Sequence, residues 1–64
     1  MSSLLRQAAD MESYARAAAK WATEYEAEGD HVRASRYHED ARWYGERAAM
    51  YRQMWAEREQ EEAA

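Results

Sequence analysis

Residues 22–37 read ATEYEAEGDHVRASRY, and this stretch decides the fold. Gly29 and Asp30 stand at its centre, with Ala22 and Tyr25 ahead of them and Ala34 and Tyr37 behind. Glycine suits the left-handed position that ends a helix, and an aspartate directly after it suits the N-cap of the next. Two adjacent cap residues specify the shortest kind of αα-hairpin. Folding the chain there sets residue i against residue 59 − i, so Tyr25 meets Ala34 and Ala22 meets Tyr37.

The same complementarity extends outward on both sides. Leu4, Ala8, Met11, Ala15, Ala18, Ala22 and Tyr25 recur at alternating steps of four and three, as do Ala34, Tyr37, Ala41, Tyr44, Ala48, Tyr51 and Trp55. Large faces small at the inner layers, Ala18 with Ala41 is the one layer that pairs small with small, and at the far end Leu4 meets Trp55. Alternating sizes across facing positions let two helices interdigitate without voids, and the seven-residue period is that of a coiled-coil seam. The expected fold is therefore all-α: a coiled-coil-like antiparallel hairpin with an Ala/Tyr seam. Helix one covers about 3–28, the turn 29–30 and helix two about 30–58. The acidic tail 59–64 is expected to fray, because its glutamates oppose the helix macrodipole.

Composition agrees with a single helical-hairpin domain. The chain has 64 residues, no proline and no cysteine. It therefore has neither a disulfide framework nor a thiolate metal site. Leu4, Leu5 and Val32 are its only members of the Leu/Ile/Val/Phe set. The bulk comes instead from Tyr, Trp and Met, and each aromatic ring can bury about 150–250 Å². Charges interrupt the apolar stretches, so no membrane span is expected, and the default location is the cytoplasm. The net charge of −4 is unevenly spread. Residues 1–30 carry three bases against six acids, residues 31–55 five against three, and residues 56–64 one against four.

The stretch from Tyr25 through Ala41, with Gly29-Asp30, Ala34 and Ala41 in place, resembles the turn and second helix of a tetratricopeptide repeat. The resemblance implies shared hairpin geometry over about a quarter of the chain. Ala22 stands where that repeat prefers glycine, only one copy is present, and both arms run past repeat length. No peptide-binding role is carried over.

The seam leaves large apolar residues unburied. One flank of the hairpin collects Tyr14, Trp21, Trp43, Met50 and Met54, interleaved with Asp40 and Arg47. The opposite flank holds Glu12, Glu26, His38, Gly45, Arg52 and Glu59, with Leu5 and Ala19 its only apolar members. Exposed Trp and Met beside Arg is the composition of protein interfaces. A two-helix unit this small also needs further burial to be stable. The expected role is that of a small, non-enzymatic interaction or regulatory protein, dimerising through the first flank into a four-helix bundle or holding another protein there. Trp21 is expected to donate its indole N–H to Asp40 across that flank, and Glu28 and Glu12 to pair with Arg33 and Arg52.

Other chemistries find little support. His31 and His38 are seven residues apart, about 10 Å along a helix and too far for one ion, so neither metal nor cofactor is expected. No serine sits in a nucleophile elbow, and no glycine-rich phosphate loop exists. Arg33, Arg36 and Arg47 beside Trp43 give the alternative reading, RNA or DNA contact by stacking and phosphate pairing. Against it stand Glu39, Asp40, Glu46 and the acidic total charge.

Overall fold

The computed structural model describes residues 2–63 and shows two helices, α1 (Ser3–Ala27) and α2 (His31–Ala63), packed against each other as a hairpin. The Cα trace spans 53 × 16 × 11 Å, a slender rod two helices wide.

The turn is built by interlocking caps. Gly29 has φ = 82°, the left-handed conformation that a side chain disfavours. The Asp30 N–H donates to the Tyr25 carbonyl at 2.9 Å and the Gly29 N–H to that of Glu26 at 3.0 Å, the paired bonds of a Schellman ending. Asp30 then begins α2. Its carbonyl accepts from the Ala34 N–H at 3.0 Å, and its Oδ1 accepts from the Arg33 N–H at 3.1 Å. Its other carboxylate oxygen lies 3.5 Å from Arg33 Nε. One residue thus closes one helix and opens the next, and no connecting loop remains. Asp30→Ala removes the side-chain cap. It is expected to cost about 1 kcal/mol, read as a fall of roughly 4–8 °C in the thermal midpoint, whereas Asp30→Asn should retain most of the stability.

All fourteen seam residues are buried or half-buried, and the fully buried set is alanine throughout: Ala8, Ala18, Ala22, Ala34 and Ala48. The tyrosines are only half-buried. Where two helices meet closely through alanine, little room remains between them for a tyrosine ring, so the seam tyrosines keep part of their surface in water. Tyr25 and Tyr37 stack on each other, centroids 5.5 Å apart and planes inclined by 13°.

Three local expectations need correction. Helix α2 runs to Ala63 rather than ending near 58, and residues 59–63 are helical rather than frayed; Ala64 lies outside the described residues. The segment after Trp55 is Ala, Glu, Arg and Gln without glycine or proline. Its summed propensity exceeds the macrodipole penalty, which is about 0.3–1 kcal/mol. A Gln53–Glu57 hydrogen bond of 3.2 Å supports the same turn. Helix α1 ends at Ala27, one residue early, because Glu28 has become the C-cap. Ser2 occupies the N-cap position of α1, but its side chain makes no capping bond.

Gly45 sits inside α2, and a Cβ placed on it would meet nothing within 4 Å. Gly45→Ala is therefore expected to stabilise the chain by about 0.5–1 kcal/mol through helix propensity alone. Thermal denaturation should show a raised midpoint; a lowered one would mean that another chain approaches closely at this point.

Candidate functional site

The two flanks of the hairpin differ in kind. On one, Arg52 Nη2 pairs with Glu12 and His38 Nε2 meets Glu26 Oε1 at 2.5 Å, two cross-helix contacts separated by the small residues Ala19 and Gly45. All four partners are substantially exposed, so each pair contributes only about 0–1 kcal/mol. They fix register more than stability.

The other flank is aromatic. Among the described residues six large apolar side chains are exposed, and five of them belong to the expected face: Tyr14, Trp21, Trp43, Met50 and Met54. Val32, the sixth, lies elsewhere on α2 and stands alone. The exposed rings connect to the seam tyrosines. Tyr14 leans on Tyr44 at 5.5 Å, and Trp43 meets the same Tyr44 edge-on at 5.2 Å. One turn further on, the Arg47 guanidinium lies 5.5 Å from the Trp43 ring centre and 5.7 Å from that of Tyr51. Toward the turn, Trp21 tilts against Tyr25 at 6.3 Å, and Arg33 caps Tyr25 at 5.6 Å. Tyrosines, tryptophans and stacked arginines thus run the length of this face.

Two expected contacts do not form here. No hydrogen bond joins Trp21 to Asp40 among the described residues. The indole packs against Tyr25 instead, one helical turn along its own helix, where i, i+4 side chains are neighbours. Asp40 is exposed and joins no ion pair there. Glu28 does not pair with Arg33 either, since Asp30, three residues before Arg33, holds that guanidinium locally.

The face carries a shallow, open groove of about 200 Å³ lined by Trp43, Glu46, Arg47 and Met50. Drug-sized ligands occupy closed pockets of about 300–1,000 Å³, so the groove suits one protruding side chain. Glu46 is its one wall that the heptad reading missed. It lies three residues from Trp43, and that i, i+3 spacing was the signal for it. The alternative nucleic-acid residues Arg33, Arg36 and Arg47 are all exposed, and Arg33 and Arg47 also lie over aromatic rings of the hairpin. His31 and His38 join no group of three potential metal ligands among the described residues. No helix among those residues is long and apolar enough to cross a membrane.

No known protein-family model matches the chain, and no curated protein or solved structure is similar enough to match it. The functional reading therefore rests on the aromatic face itself.

Proposed function

We propose that the chain is a small interaction protein without catalytic activity, and that its aromatic flank binds a second copy to form a four-helix bundle. The observation that carries this reading is that the hairpin leaves its large side chains outside. Its fully buried residues are five alanines, while Trp43, Trp21 and Tyr14 are about half exposed.

Surface area points the same way. The chain exposes 5048 Å². A compact monomer of its 7.5 kDa should expose about 4,250 Å². The excess of about 800 Å² reflects the slender shape of a two-helix rod, which a second hairpin laid alongside would reduce. Closing two such faces against each other would supply the large-residue core that one hairpin lacks, and two-fold pairing is the commonest way of doing so. The regulatory or scaffolding role is part of the same proposal and rests on the exposed aromatic face.

Sedimentation equilibrium of the intact chain tests the reading. Twice the chain mass at micromolar concentration is the expected result. A monomer that retains nucleic acid at low ionic strength would favour the arginine reading instead.

A further inference from the structure

We propose that the two copies lie antiparallel, each α2 crossing the other at residues 46–47, with the acidic end of one helix seated on the arginines near the turn of its partner. This rests on the dimeric reading above and adds its geometry.

The argument comes from the stripe of α2 that carries the exposed face. Taken in order, its residues are Arg33, Arg36, Asp40, Trp43, Arg47, Met50, Met54, Glu57 and Glu61. The stripe is basic at the turn end, apolar in the middle and acidic at the open end. Laid against its own reverse, it pairs Arg33 with Glu61, Arg36 with Glu57 and Trp43 with Met50, while Asp40 falls opposite Met54 and Arg47 beside its own copy at the axis. The centre of that pairing is the groove lined by Trp43, Glu46, Arg47 and Met50. It receives the partner's thioether while offering its own, and sulfur against an aromatic ring is a favourable contact. Glu46 and Arg47 also exchange across the axis, so the two central arginines each find a carboxylate.

A parallel pair reverses every one of these contacts. Arg33, Arg36, Glu57 and Glu61 would each face their own copy, bringing like charges together at both ends. The overhang sharpens the difference. Helix α2 is eight residues longer than α1, so residues 59–63 extend past the start of α1 with no helix beside them. In a parallel dimer two such acidic ends lie side by side. In the antiparallel dimer each reaches back along the partner toward its basic end.

The natural absence of cysteine allows a single probe to decide. Gln60→Cys, exposed on α2 and not itself a member of the stripe, carries a nitroxide label, and the distance between labels is measured by pulsed electron spin resonance. Position 60 lies about 20 Å along the helix from the proposed crossing, so the antiparallel dimer predicts labels about 40 Å apart. A parallel dimer brings them within roughly 20 Å, which would overturn the orientation while leaving dimerisation intact. A sample that sediments as monomer overturns both. Charge reversal gives an independent check. Arg36→Glu or Glu57→Arg alone should each weaken association roughly ten-fold, and the double variant should recover most of that loss. Loss without recovery, with helicity unchanged, would count against the pairing.

Discussion

Trp43→Ala combined with Met50→Ala is expected to leave a hairpin that sediments at the mass of one chain. Both residues lie outside the Ala/Tyr seam and are largely exposed, so the contact between α1 and α2 does not depend on them. Both line the central groove, where they are the only apolar walls. Truncating a central aromatic anchor typically costs about 2 kcal/mol or more of binding energy, and two-fold symmetry applies the loss twice. The dissociation constant should therefore rise by at least about a thousand-fold, equivalent to roughly 4 kcal/mol. A second consequence is thermal. The wild-type midpoint should increase with protein concentration, because dimerisation stabilises the folded chain by mass action, whereas that of the variant should not. An unchanged dimer in the double variant would remove this face from the interface.

Ala22→Leu is expected to have the largest effect on the fold. Ala22 is 0% exposed and lies opposite Tyr37, whose ring already stacks on Tyr25. Three added carbons have nowhere to go unless α1 and α2 move apart. Overpacking of this kind costs about 1–3 kcal/mol. A chain of this length has a total stability of only about 3–10 kcal/mol. The thermal midpoint should fall by roughly 10 °C or more, with partial loss of helicity at 37 °C. Ala9→Leu, on the exposed outer surface of α1, provides the control and should be tolerated. Equal tolerance at both positions would mean that the helices do not meet through alanine.

The seam was legible because helical periodicity is a property of spacing, and spacing survives without coordinates. Ala8, Ala22, Ala34 and Ala48 could be placed inside, and Trp43 and Met50 on one flank, before any contact was known. The turn was legible for a similar reason, since Gly29 and Asp30 supply conformations and hydrogen bonds that few other residues offer. Contacts that depend on side-chain direction were less accessible. Trp21 had a carboxylate across the hairpin and a ring along its own helix as candidate partners, and the ring of Tyr25 is the one it packs against. Arg33 likewise had two acidic neighbours, and the local one, Asp30, holds it. The end of α2 was misplaced because an unfavourable terminal charge was weighed without the propensity of nine successive helix-forming residues. On the aromatic flank, the members were identifiable but not their linkage: that Tyr14 and Trp43 converge on Tyr44, and that Arg47 bridges Trp43 and Tyr51, required the rotamers.

Because Asp30 both ends α1 and starts α2, the hairpin has no slack at its hinge. Closing such a connection costs little chain entropy, so the layers nearest it, Tyr25 with Ala34 and Ala22 with Tyr37, come together first. Later layers then add in sequence, like teeth of a zip, toward Leu4 and Trp55. Amide protons should accordingly exchange fastest at the far end of the rod and slowest toward its hinge and middle.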